Sequence, residues 1–191
     1  MRGGNGHTNY GPEFIAYLRV VLKRSGLPQG IIIDCSHANS GKDYRKQRVA
    51  LDGVLEQIAS GEDAIRGVML ESNLKPGNQK VIPGVVPDPE VSITDGCIGW
   101  EETEELILKT WETVKKACDD AGIAIGVTAL SDRAKDLRCA DLKNMAVVIG
   151  SEGQGVRKEI LDAAAHSLII PMNPNCESLN ASVAAAIVMW Q

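Results

Sequence analysis

Apolar positions along the chain follow two habits, short unbroken runs and longer stretches with helical spacing. The runs Gly30–Asp34, Ile65–Leu70, Ser92–Asp95, Ile123–Leu130, Met145–Ile149 and Leu168–Ile170 are too short and too rich in β-branched residues for helices. They predict buried strands. Helical spacing appears over Phe14–Leu22, ending near Ser25 and Gly26, then over Gln47–Ile58, Glu101–Ala117 and Val183–Met189. Acidic residues crowd the first turn of the third helix, where the helix dipole favours them. Strands alternating with helices predict right-handed βαβ units and an α/β fold with parallel sheets.

Between these elements the polar stretches have the composition of sites. At the N-terminus, MRGGNGHTNYGPEF reads as the end of a strand followed by its loop, with the strand itself missing. Arg2, His37, Glu71 and Asp95 each stand at the carboxyl end of a strand, the edge on which parallel α/β architectures build sites. One imidazole and two carboxylates are a donor set for Mn²⁺, Fe²⁺ or Zn²⁺, with Arg2 left to hold a phosphate. The same residues also suit a loop hydrogen-bonding histidine and two helix caps, and chemistry alone leaves both readings open. Further on, Met145–Ala186 packs two strands, a glycine turn and two helices into one compact stretch. Gly150, Gly153 and Gly155 permit a close backbone approach to a ligand, and the free N–H groups of a following helix face that turn. Ser178 or Asn180 can cap the last helix.

Composition narrows the setting. The chain has 191 residues, 44% of them apolar, enough for one α/β domain or two small ones. A net charge of −5 gives no global attraction to phosphate backbones, so nucleic-acid binding needs a local basic patch. Lys42, Arg45, Lys46 and Arg48 form such a cluster, although a solvated helix face is the preferred reading. The five cysteines form no CxxC pair and are odd in number, which predicts reduced thiols in a cytoplasmic protein. No apolar run reaches the length of a membrane span and no signal-peptide core is present, so no membrane partner is expected.

The order GSEGQG, then IPM, then ESLNASVAAAI resembles the second and third signature motifs of the TrmH/SpoU branch of the SPOUT RNA methyltransferases. The resemblance covers residues 117–191. It implies a cofactor-binding half-domain, trefoil-knotted in that family, which holds S-adenosylmethionine (SAM) on backbone groups. By motif position these lie around Thr128, Ala129 and Leu130, Gly150, Gly153 and Gly155, Ile170 and Met172, and Ser178 and Leu179. Glu152, Ser178 and Asn180 would be the catalytic polar residues facing the transferred methyl or the RNA, which is the implied partner. The family's first motif, with the arginine usually assigned to catalysis, is not found here. Arg133, Arg138 and Arg157 are substitutes in sequence only.

RGG, GLPQGIIIDCSHANSGKDYRKQ, GVMLESNLKPGNQ and SITDGCIGWEETEEL are similar to the C-terminal part of a 3-deoxy-D-arabino-heptulosonate 7-phosphate (DAHP) synthase of the AroF/AroG/AroH type. This match runs almost continuously over residues 1–116. It implies a partial (β/α)8 barrel and a metal-dependent condensation of phosphoenolpyruvate with erythrose 4-phosphate. His37, Glu71 and Asp95 would be metal ligands and Arg2 a phosphate contact. The family's fourth ligand, a cysteine, has no counterpart among the five cysteines.

The sequence therefore reads as a chimera of a DAHP-synthase-like barrel fragment (1–116) and a SPOUT-like cofactor segment (117–191), recombined or engineered in origin. Strands of an unclosed barrel must find partners. These are either the methyltransferase strands, in one continuous sheet, or a second copy in a homodimer. Three functions compete: a SAM-binding relative of the 2′-O-ribose methyltransferases, which leads; a residual DAHP-synthase-type metal site; and a chain with no catalysis.

Overall fold

The computed structural model describes residues 1–131, 133–150, 155–173 and 178–191. The chain forms two compact units, Met1–Ala117 and Cys118–Gln191. Among the described residues the elements are α1 (Pro12–Arg24), β1 (Ile31–Asp34), α2 (Gln47–Ala59), β2 (Ile65–Met69), α3 (Trp100–Ala121), β3 (Ala124–Thr128), β4 (Lys135–Asp136), β5 (Met145–Val148), α4 (Lys158–Ala163), β6 (His166–Ile169) and α5 (Ala181–Trp190).

In the first unit β1 and β2 pair in parallel, from Ile31 opposite Ile65 to Asp34 opposite Met69. This register brings both strands to their carboxyl ends together, and Cys35 N–H closes the ladder on Met69 O at 2.9 Å. Met1 runs beside the free edge of β1. Its ammonium donates to Ile32 O at 2.6 Å and its carbonyl accepts from Asp34 N–H at 2.8 Å, although residues 1–3 are not themselves a strand. The pleat sends Ile31, Ile33 and Cys35 to one face, where they meet Ile15 of α1 and Ala50, Leu51, Val54 and Leu55 of α2. Burying each large aliphatic side chain there contributes about 1.5–3 kcal/mol. Ile98 and Leu106 complete the core, while Ile32, on the other face of β1, is 62% exposed.

The α2–α3 contact carries charge. The Arg48 guanidinium donates to both carboxylate oxygens of Glu105 at 2.8 Å and to Glu102 at 3.3 Å, and Lys109 donates to Asp52 at 2.8 Å. Arg45 pairs with Asp43 at 2.8 Å. Two cations of the basic cluster are thus committed to carboxylates, in keeping with a solvated helix face.

The second unit is a four-stranded parallel sheet in the order β4-β6-β3-β5. Among the described residues, Cys118, Ile125, Val127, Leu137, Leu168 and Ala184 are buried in it. The central position of β3 places the carboxyl ends of β5, β3 and β6 side by side.

Three expectations change. Among the described residues the strands group into a two-stranded and a four-stranded sheet, one in each unit, where one continuous sheet was expected. Ser92–Asp95 is not a strand. Ser92 bridges Asn78 in parallel, Cys97 bridges Gly77 antiparallel and Ile98 bridges Ser72 in parallel, and alternating directions cannot build a ladder. Third, β4 was not anticipated, because two residues carry no periodicity. The loops expected to take part in the knot include 151–154 and 174–177, which lie outside the described residues.

Candidate functional site

Three segments leave the β1–β2 edge and converge. After β1, the chain turns through Ser36 and His37 with a hydrogen bond from Ser36 N–H to Asp34 Oδ1 at 2.8 Å. His37 sits at φ +47°, a left-handed conformation that costs a non-glycine residue about 1–2 kcal/mol. Its carbonyl accepts from Lys42 N–H at 2.7 Å and Ser40 Oγ at 3.1 Å, which holds the strained turn. Asn39 ties the loop back to Asp34 O at 2.8 Å and accepts from Asn9 N–H at 2.8 Å. Strain held by this many bonds places the imidazole over the strand ends.

Glu71 follows β2. Its backbone is clasped by the side chain of Gln47, whose Oε1 accepts from Glu71 N–H at 2.8 Å and whose Nε2 donates to Glu71 O at 3.0 Å. Ile98 N–H donates to the same carbonyl at 3.0 Å. Asp95 arrives on the bridged segment that Ile98 ends, with Cys97 and Gly77 exchanging hydrogen bonds at 2.8 and 3.1 Å. Gly96 is required here by close approach, since a Cβ at that position would stand 2.7 Å from Tyr44 Cδ1.

The result is a cluster in which one ligand atom each of His37, Glu71 and Asp95 lies within 4.8 Å of the others. His37 Nε2 is 3.8 Å from Glu71 Oε1 and 3.7 Å from Asp95 Oδ2. On the other side of the ring, Nδ1 is buried 2.7 Å from Asp34 Oδ2, at ion-pair distance but without hydrogen-bond alignment. Arg2 reaches Asp34 only at 3.9 Å and is mostly exposed. Three carboxylates stand around one imidazole, with the Asp95 side chain mostly exposed. One nitrogen and two oxygens facing one point fit a divalent cation of the Mn²⁺, Fe²⁺ or Zn²⁺ type.

Neighbouring thiols take no part as thiolates. Burial, with the adjacent Asp34 charge, pushes Cys35 up to about 12. Cys97 is likewise raised by burial, partly countered by a hydrogen bond with Ser92 and reinforced by Glu71 and Asp95.

In the second unit, the segments named as cofactor loops start from adjacent strand ends. Thr128 Oγ1 donates to Val148 O at 3.4 Å, and Ala129 N–H donates to Leu168 O at 3.0 Å, so Thr128, Ala129 and Leu130 leave from between β5 and β6. Ile170 and Met172 follow β6 directly. Gly150 and Gly155 meet backbone to backbone: a Cβ on Gly150 would run into the Gly155 carbonyl carbon. Ser178 and Leu179 lead into α5, and Asn180 caps it by accepting from Ser182 N–H at 3.0 Å. Glu152 and Gly153 lie outside the described residues. Of the substitute arginines, Arg138 is engaged by Asp136 at 2.6 Å.

Known proteins match both halves. The family model described as DAHP synthetase I family matches residues 1–108, and that of the SpoU rRNA Methylase family matches residues 90–190. The chain belongs to both families. The DAHP synthetase I match contains His37, Glu71 and Asp95; the SpoU match contains Asp95 and every cofactor-loop residue named above. The Phe-sensitive phospho-2-dehydro-3-deoxyheptonate aldolase of Escherichia coli (strain K12) is 44% identical over 115 residues, 60% of this chain and 33% of the relative. A solved phospho-2-dehydro-3-deoxyheptonate aldolase from Francisella tularensis SCHU S4 is 37% identical with a TM-score of 0.55, covering 60% of this chain and 33% of that one. A structure described as a candidate RNA methyltransferase of the TrmH family from Porphyromonas gingivalis is 30% identical, covering 37% of this chain and 29% of that one, and its TM-score of 0.32 is too low to bear on the fold. The chain thus spans about a third of the length of the Escherichia coli and Francisella tularensis aldolases.

Asp34 and Gln47 were not foreseen as parts of the site. Both had a legible signal: Asp34 precedes the histidine by three residues at a strand end, and Gln47 is a polar residue on the stripe of α2 that otherwise carries Ala50, Leu51, Val54 and Leu55.

Proposed function

We propose that the chain binds a divalent cation at His37, Glu71 and Asp95, a DAHP-synthetase-type metal site carried on a partial barrel. The convergence of these three side chains from three separate segments, within 4.8 Å, is the observation that carries this reading. It reverses the order of preference drawn from the sequence, in which the SAM pocket led. When bound, such an ion supplies Lewis-acid polarisation of a carbonyl oxygen. The protein's own contribution is to hold the imidazole in a strained turn, fix the Glu71 backbone through Gln47, and gather negative charge that a cation offsets. Arg2, beside Asp34 and exposed, is available to a phosphate group.

The parent condensation draws on the metal and several phosphate clamps acting as a unit, and removing members of such a unit costs far more than any one contact. Arg2 is the one clamp that the motifs place in this chain, so the proposed function is cation binding rather than turnover. In a thermal melt, Mn²⁺ raises the melting temperature of the unsubstituted chain and leaves that of His37→Ala unchanged. Equal shifts in both, or none in either, would contradict the reading.

A second reading has its own support in the sheet of the second unit. Parallel strands β5, β3 and β6 present adjacent carboxyl ends, where open α/β sheets bind ligands, and the loops leaving them match the SpoU family. SAM is the cofactor this reading adds, with Thr128–Leu130, the Gly150 and Gly155 turn, Ile170 and Met172 around it. RNA as a partner, a homodimer and a cytoplasmic location belong to the same proposal. Among the described residues no helix is long and apolar enough to cross a membrane.

A further inference from the structure

We infer that Gln47 is the positioning residue of the proposed metal centre, acting through Glu71; the inference rests on the cation-binding reading. Gln47 opens α2 and is fully buried. Its position belongs to the apolar stripe that continues through Ala50, Leu51, Val54 and Leu55, where an aliphatic side chain would pack without desolvating a polar group. A buried carboxamide is costly unless both of its ends are paired. Here both are, and both partners belong to one residue: the N–H and the C=O of Glu71, at 2.8 and 3.0 Å.

The position of that residue gives the clasp its meaning. The β1–β2 ladder ends at the pair Asp34–Met69, so Glu71 lies beyond the reach of strand pairing with β1. Gln47 takes the place of a neighbouring strand and fixes the peptide planes on either side of the Glu71 Cα, hence the direction in which its carboxylate leaves the backbone. The Glu71 carbonyl also accepts from Ile98 N–H, and the Ile98–Cys97 segment carries Asp95. One buried carboxamide therefore sets the backbone of one ligand and adjoins the segment that bears another. Outer partners of this kind commonly govern metal affinity without touching the metal.

Gln57 provides the internal control. It lies on the same helix and donates its carboxamide N–H groups to Tyr10 O and Gly53 O at 2.8 and 2.9 Å, none of which belongs to the cluster. The test uses the full chain with Gln47→Met, Gln57→Met and His37→Ala, circular dichroism to verify folding, Mn²⁺ affinity from the electron paramagnetic resonance of free Mn²⁺, and the visible absorption of bound Co²⁺. Gln47→Met is expected to weaken Mn²⁺ binding about 10- to 100-fold and to alter the Co²⁺ spectrum, while Gln57→Met leaves both as they were. If Gln47→Met binds Mn²⁺ as the unsubstituted chain does while His37→Ala does not bind, the positioning role is overturned and the metal site stands. If Gln47→Met and Gln57→Met weaken binding equally, general loosening of α2 replaces positioning. If the unsubstituted chain shows no His37-dependent binding, both claims fall. Should Gln47→Met not fold, Gln47→Asn, whose shorter side chain withdraws the carboxamide from Glu71, is judged by the same outcomes.

Discussion

At the scale of single residues, the chemistry of the first unit depends on groups whose neighbours constrain them. Cys35 is adjacent to the cluster yet inert, because burial and the Asp34 charge hold its proton to about 12. Iodoacetamide at mildly alkaline pH should modify the exposed Cys139 and spare Cys35, as read by mass spectrometry of the folded chain. The same shift fixes a sign. The unfolded thiol loses its proton near 9.0 and the folded one near 12, so the unfolded state gains as pH rises through that window. Stability contributed by the neutral buried thiol is complete below pH 9.0 and lost as pH approaches 12. A Cys35→Ala chain, less stable at neutral pH by the cavity it leaves, should show a shallower alkaline decline in melting temperature. An identical alkaline slope would place the shift elsewhere.

Among the elements, helices were the most legible in the sequence. The helical spacing over Phe14–Leu22 and Gln47–Ile58 became α1 and α2 with ends displaced by two residues at most, α2 burying Ala50, Leu51, Val54 and Leu55 and α1 burying Ile15 with Leu18 and Leu22 packed beside it. The strand predicted at Ser92–Asp95 failed because its partners are loop residues at 72–78, and a period read along one segment says nothing about what lies opposite. His37, Glu71 and Asp95 could be named from motif position; the clasp by Gln47 could not, since a polar residue on a buried stripe has no partner until the chain is folded. Asn180 shows the converse, a residue read as catalytic or capping whose visible role is the cap of α5. Asn180→Ala should therefore cost about 1 kcal/mol of stability in denaturant melts. Asn180→Ser keeps a capping oxygen, and comparing the two variants for S-adenosylhomocysteine binding by calorimetry separates cap from contact. Weakening in both variants assigns Asn180 to the ligand; weakening in Asn180→Ala alone assigns it to the helix.

Over the whole molecule, two compact units carry two family memberships, each with its own buried residues and its own sheet. The negative charge of the chain, −5, argues against a general grip on nucleic acid and leaves the acidic cluster at the β1–β2 edge as the place where a cation is most needed. Titration of the full chain with Mn²⁺, followed by the resonance of the free ion, measures this most directly. The account predicts binding of one ion per chain that is abolished by His37→Ala and strongly weakened by Glu71→Gln and by Asp95→Asn. Absence of binding, or binding that survives loss of His37, would contradict it.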